Sequence, residues 1–266
     1  MSMQAAKVSF DWIVPQWAAP AGVSALFTTR SGGVSPRPWG RSPGQGEGMN
    51  LGFGSGDDPA RVRENRELLR RVLPGDPYWL RQVHGSVVVD ADGDRAEGDT
   101  SVPPEADASV ALRPGAVCAV MVADCMPVLL ADAAGRGVAA AHAGWRGLAD
   151  GVVQATAARL RARLDDPAAP LVAWLGPCIG PARFEVGRDV LDAMQKRLPD
   201  AERAFMPLLT GKYLADLPAL ARQALAMAAV SDIAGGAWCT VSDPLRFFSY
   251  RRDGVTGRHV ALIWRS

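Results

Sequence analysis

Two apolar runs of strand length, PVLLAD (127–132) and GVAAAH (137–142), are separated by only AAGR. That short gap constrains the fold more than any other feature of the chain. Parallel strands need a crossover of about a dozen residues or more, so these two must close as an antiparallel hairpin. The sheet they belong to therefore cannot be wholly parallel. If the turn folds about residues 134 and 135, Asp132 faces Gly137 and His142 faces Pro127. Cys125 then lies just past the end of its strand, opposite Gly144. Seventeen positions separate Cys125 from His142 in the chain, yet the hairpin makes them neighbours.

His142 is one of only three histidines, with His84 and His259. A thiol beside an imidazole suggests either a Cys–His nucleophile pair or a metal site whose sulfur and nitrogen donors suit zinc. His84 offers a third donor, at the break between two strand-like runs in YWLRQVHGSVVVD (78–90). Three protein ligands with an open fourth position are the pattern of a catalytic zinc site. Plainer readings compete with this one. A histidine beside a glycine is commonly a loop residue bonded to the backbone, and cysteine is among the most buried and inert residue types. The small neighbours Ala141, Ala143 and Gly144 leave the His142 ring room to reach a ligand, and they mark it as something other than a packing element. His259, in the terminal run RHVALIW (258–264), reads as structural.

The rest of the chain predicts one α/β (α+β) domain over 1–266, with mixed β-sheets flanked by helices and neither a repeat nor a linker. SGGVSPRPWGRSPGQGEGMNLGFGSG (31–56) and ADGDRAEGDTSVPPEAD (91–107) read as long loops. Strands are expected at 115–124, 171–176 and 258–264 besides the hairpin. Helices are expected at 60–73, opened by Asp57 or Asp58 with Pro59, and at 147–164, 186–198 and 217–230. With 29 basic and 28 acidic residues, net charge gives no reason to expect nucleic acid or an anionic membrane as partner. The N-terminal stretch, interrupted by Asp11 and Pro15, does not read as a signal peptide, and no run is long enough to span a membrane. The four cysteines are too sparse for a disulfide scaffold, so a reduced, cytoplasmic protein is expected.

Several motifs in order carry a resemblance: TTRSGGVS (28–35), MNLGFGSGDDPARVRENR (49–66), QVHG (82–85), ADCMPVLL (123–130), AHAGWRGL (141–148), GPCIGPARFEVG (176–187) and FFSYRRDGVTGR (247–258). From about Thr28 to Trp264 the chain resembles the bacterial laccase-domain family, called multicopper polyphenol oxidoreductase by name. The resemblance implies zinc held by His84, Cys125 and His142. It also implies phosphorolysis of adenosine, inosine and methylthioadenosine, with adenosine deamination as a side activity. Cys125 and His142 are then the catalytic candidates, and purine nucleosides and phosphate the partners. Members often carry a cysteine where this chain has Arg183, a position outside the three ligands. Phosphate calls for arginine clamps. The candidates are Arg30, ending a strand before the first loop, Arg66 on the first helix, and Arg146 at the start of the 147–164 helix. Asn50 is a candidate for a sugar hydroxyl. The alternatives are a Cys–His hydrolase in peptidoglycan editing and a copper-dependent polyphenol oxidase. Three histidines, however, are too few for both a blue-copper site and a trinuclear cluster.

Overall fold

The computed structural model describes residues 10–40, 47–92 and 102–266. The described strands are β1 (Val23–Phe27), β2 (Ser31–Ser35), β3 (Pro77–Tyr78), β4 (Val88–Asp90), β5 (Ala108–Ala111), β6 (Val117–Val122), β7 (Met126–Asp132), β8 (Val138–Ala143), β9 (Leu171–Leu175), β10 (Glu185–Val186), β11 (Phe205–Pro207), β12 (Tyr213–Ala215), β13 (Asp232–Gly235) and β14 (His259–Arg265). The α-helices are α1 (Pro59–Arg70), α2 (Trp145–Asp150), α3 (Val152–Arg163), α4 (Arg188–Gln195), α5 (Leu217–Met227) and α6 (Tyr250–Asp253). They form a mixed α+β single domain. None of the described helices is long and apolar enough to cross a membrane.

Two large sheets carry the architecture, one in the order β1-β14-β6-β3 and the other β13-β9-β7-β8-β5-β4. Side-chain alternation along each strand explains how they stack. Leu129, Ala131, Val138 and Ala140 face inward to meet Cys118, Val120, Ala261 and Ile263 of the four-stranded sheet. Val128, Leu130, Ala139 and Ala141 face outward, against Leu148, Val153, Ala157 and Leu160 of α2 and α3 and Leu220 and Ala224 of α5. On the far side, Val260 and Leu262 pack under α1 through Leu69. The result is four layers: helix, sheet, sheet, helices. Strands covered on both faces are apolar throughout, which is why β7 and β8 read as continuous hydrophobic runs.

The hairpin register agrees with the sequence reading. Pro127 pairs with His142, and Ala131 with Val138. Of the two aspartates expected to open the first helix, Asp58 is the cap: its carboxylate accepts from the Ala60 N–H at 2.8 Å, with Pro59 in the first turn.

Three expectations change. The first loop opens with β2, whose ends bridge to Gly48; Asn65 of α1 holds it by bonding Val34, Ser35 and Gly48. Its glycines hid the strand. A Cβ on Gly33 would lie 2.3 Å from the Gly48 carbonyl oxygen, so the close approach of backbone there excludes a side chain. Residues 41–46 of that loop, 93–101 of the second loop and 1–9 of the N-terminal stretch lie outside the described residues. The expected helix over 147–164 is two helices, because Gly151 adopts φ +86° and ends α2 before α3 begins. The expected helix from 186 starts only at Arg188, since Val186 pairs with Tyr213 in a third, three-stranded sheet.

An L-residue in the left-handed region costs roughly 1–2 kcal/mol. Gly151→Ala is therefore expected to destabilise the fold by about 1 kcal/mol in urea unfolding, with Gly151→Asn milder. A neutral Gly151→Ala would show that the helix break is not enforced by backbone strain.

Candidate metal centre

The hairpin end and the His84 turn converge where the two sheets meet. Ligand atoms of His84, Cys125 and His142 all lie within 4.8 Å of one another. The His84 and His142 ring centroids are 4.7 Å apart, edge to face. Exposure is graded: His84 is exposed, Cys125 half-buried and His142 buried. The cluster thus opens to solvent on the His84 side.

Sequence reasoning missed the group that assembles it. Asp107 is completely buried at the start of β5. One carboxylate oxygen lies 2.8 Å from His142 Nδ1. The same carboxylate accepts the backbone N–H groups of Val83, His84 and Gly85 at 3.1, 2.9 and 2.7 Å. The Asp107 carbonyl also accepts the His142 N–H at 2.7 Å. His84 sits at φ +64°, an uncommon conformation for a residue with a side chain. Three charge-assisted bonds from this turn to one carboxylate offset that strain. Asp107 lies at the end of a stretch with several acidic residues, and nothing in the string separates it from Asp92, Asp94 or Asp99.

A second carboxylate fixes the Cys125 side. Asp124 has φ +92°. It accepts Thr240 Oγ1 and the Arg251 N–H, each at 2.6 Å, and its carbonyl accepts the Ile179 N–H. Behind Cys125, Gly144 leaves space that no other residue would. A Cβ there would lie 2.8 Å from Cys125 Sγ and 3.4 Å from His84 Cδ2.

Burial alone would raise the Cys125 thiol, but His142 and then His84 overcome it and bring the pKa down to about 6. Burial would likewise lower the His142 imidazole; the Cys125 charge and the bond to Asp107 carry it upward instead. For Asp107 too, burial acts upward, and the bonds from His142, Gly85 and Val83 hold it below the usual carboxylate range. With its Nδ1 facing Asp107, His142 turns Nε2 toward the cluster. Two imidazoles and a low-pKa thiol form a donor group that can hold a metal ion.

The other cysteines stand apart: Cys118 and Cys178 are buried, and burial pushes the Cys118 thiol up to about 12. His259 is buried between aromatic rings, its Nε2 accepting the Phe248 N–H at 2.7 Å, and burial drives its pKa down to about 3. That placement agrees with a structural role. The small residues beside His142 have a different origin from the one expected: Ala141 and Ala143 are fully buried in a strand covered on both faces, and the His142 ring is itself packed.

Of the residues expected to contact substrate, Asn50 and Arg66 come together, Arg66 bonding the carbonyl of Leu51. Arg30 directs its donors to the carbonyls of Pro38, Gly40 and Pro244 and faces Asp253 at 3.5 Å. Asn50 is buried, donating to Ser55 and Asp57 and accepting from Gly52 and Arg258. Arg66 is stacked 3.6 Å from the Trp79 ring centroid and 4.5 Å from that of Phe53, and desolvation lowers it to about 10. Arg146 is exposed, 4.4 Å from the Trp145 ring centroid in the first turn of α2.

Residues 24–266 match the family described as multi-copper polyphenol oxidoreductase laccase. The chain belongs to this family. It is 46% identical over 254 residues to a purine nucleoside phosphorylase of Pseudomonas aeruginosa, covering 95% of this chain and 98% of that protein. It is 47% identical, over the same shares, to purine nucleoside phosphorylase YfiH of Escherichia coli K12. Among solved structures, a Neisseria meningitidis protein superposes with a TM-score of 0.85 at 46% identity, covering 96% of this chain and 99% of that one. YlmD from Geobacillus stearothermophilus superposes at 0.81 with 29% identity, covering 95% and 98%.

Two outcomes follow from this geometry. In metal-stripped protein, iodoacetamide should label Cys125 with a half-maximal rate near pH 6, read by peptide mass spectrometry, well below the ordinary thiol value of 9.0. A midpoint above pH 8 would remove the thiolate from the site. Gly144→Ala keeps an allowed backbone, at φ −66° and ψ 169°. It should still weaken metal retention roughly ten- to a hundredfold, as displacing a ligand's support does, while the stripped protein melts like stripped wild type. Full metal retention by this variant would mean that Cys125 is free to move aside.

Proposed function

We propose that the chain, as one domain over 1–266, is a cytoplasmic zinc-dependent purine nucleoside phosphorylase. In this reading it splits adenosine, inosine and methylthioadenosine with phosphate, and deaminates adenosine as a side reaction. One observation carries it: the His84–Cys125–His142 donor set, oriented by Asp107, lies in a chain matching relatives named purine nucleoside phosphorylase across nearly its full length. The donor set suits zinc, whose structural and catalytic sites favour thiolate and imidazole. When bound, zinc supplies Lewis acidity at an open coordination position.

Phosphorolysis breaks the bond from C1′ to the purine nitrogen and forms one from C1′ to a phosphate oxygen. The base leaves with the bonding pair and gains a proton on nitrogen. The chain must therefore hold an oxyanion beside the sugar and keep the base oriented. Arg66, desolvated and stacked yet close to the exposed Phe53, is suited to the anion. Arg146, two residues beyond Gly144, is the candidate on the other side. Arg30 and Asn50, whose groups are engaged internally, serve the site by holding the 36–40 segment and the Arg258 backbone. Asp107 keeps His142 in one tautomer.

A second reading has its own observation. A low-pKa Cys125 beside His142, which is itself bonded to Asp107, also has the order of an activated nucleophile, its base and an orienting carboxylate. Such a hydrolase would keep its activity after chelation.

Metal content and turnover on one sample separate these. About one zinc per chain is expected, lost in Cys125→Ala and retained in Cys118→Ala. Adenosine with phosphate should give adenine and ribose 1-phosphate, together with some inosine and hypoxanthine. Adenine release that is unchanged without phosphate would sink the phosphorylase reading.

A further inference from the structure

Arg258 immediately precedes β14, and its surroundings are built around it. His259 pairs with Val122 across the antiparallel β14–β6 ladder, so Arg258 stands opposite Ala123, next to Asp124 and Cys125 in the chain. Alternation along β14 places its side chain on the opposite face from His259, with Val260 and Leu262, the face that α1 and Arg66 cover. The buried Asn50 amide oxygen accepts the Arg258 N–H at 2.9 Å, and the Arg258 carbonyl accepts the Leu51 N–H. Gly52 clears its stem: a Cβ there would lie 2.5 Å from Arg258 Cγ. Arg66 bonds the Leu51 carbonyl, so the two arginines flank one short segment, Leu51–Gly52.

The guanidinium itself is only partly used. Nη1 donates to the carbonyls of Thr256 and Gly257, and the group lies 6.0 Å from the exposed Tyr250 ring. Among the described residues, its Nε and Nη2 have no hydrogen-bond partner and no carboxylate forms an ion pair with it. Burial lowers its pKa, against the pull of Cys125, Tyr250 and Asp124. Arg252 is the contrast: its donors go to the carbonyls of Thr240, Val241 and Phe247 and to Asp253. Arg258 is half-buried and these two nitrogens keep access to solvent, so the open edge of a cation whose backbone and stem are fixed is available to an anion.

We infer that Arg258 is an anion-binding residue of the site, its free edge taking an oxygen of the phosphate co-substrate beside Arg66. This rests on the phosphorolytic reading above.

The test titrates inorganic phosphate into the metal-loaded full chain by calorimetry, alongside KM values for phosphate and adenosine. Arg258→Gln should raise the phosphate Kd and KM at least roughly tenfold, the loss of one charge-assisted pair. Adenosine binding without phosphate should stay within about twofold, and metal content should not change. Because Nη1 also holds two carbonyls, Arg258→Lys is the companion if the glutamine variant folds poorly. It keeps a cation and loses the fork, and it should still raise the phosphate KM severalfold. Wild-type phosphate affinity in a folded Arg258→Gln or Arg258→Lys protein overturns the inference while phosphate-dependent turnover keeps the phosphorylase reading. If wild type neither binds nor consumes phosphate, both fall together.

Discussion

The buried Asp107 carboxylate is the interaction on which the rest of the site depends. It joins three segments far apart in the chain: the 83–85 turn, the start of β5 and the end of β8. Without it, three adjacent N–H groups would converge on nothing and His84 would have no reason to hold a left-handed backbone. A buried acceptor of this kind is stable only when its donors are all in place. The cost of desolvating Asp107 is thus converted into geometric precision at His84 and His142. Asp124 does the same for Cys125, with Thr240 and the Arg251 backbone as its donors.

The layered fold explains why the site lies where it does. Between the two sheets, Leu129, Ala131, Val138, Ala140, Val120, Ala261 and Ile263 make a largely apolar layer, with Cys118 and His259 among its buried polar members. Where β8 runs into α2, His142, Cys125 and the His84 turn meet. Gly144 keeps that corner open. Side chains on strand ends and tight turns are held by the sheets and still reach solvent, a placement that suits a group able to hold a metal ion.

The family's description speaks of several coppers, yet the chain has three histidines and the structure commits one of them, His259, to an aromatic cluster away from the other two. Two imidazoles and one thiol make a single mononuclear donor set. That set is too small for a multicopper oxidase, whose blue-copper site and trinuclear cluster need many more histidines. Around this set the arginines divide by what their donors do. Arg30 and Arg252 bind loop carbonyls, Arg66 bonds Leu51 and Met121 and stacks on Trp79, and Arg258 leaves Nε and Nη2 without a hydrogen-bond partner among the described residues.

Local chemistry was legible in the string. The four-residue gap between two apolar runs dictated an antiparallel hairpin, and with it the meeting of Cys125 and His142, because chain connectivity alone forbids a crossover of that length. Asp57 or Asp58 with Pro59 marked the start of α1, since capping is a contact between near neighbours, and the structure selects Asp58. Ordered motifs identified the family. The strands β2 and β10 were hidden, because glycine or brevity conceals pairing that only distant partners supply. The same holds for Asp107, one of several acidic residues in a loop until three N–H groups and an imidazole surround it. It holds for Arg258 as well, whose position is set by Asn50 from the other end of the chain. Whether a buried polar group is satisfied or left open depends on residues that folding brings together from far apart in sequence. For that reason the sequence by itself determined the donor set, and only the tertiary structure decided what orients it.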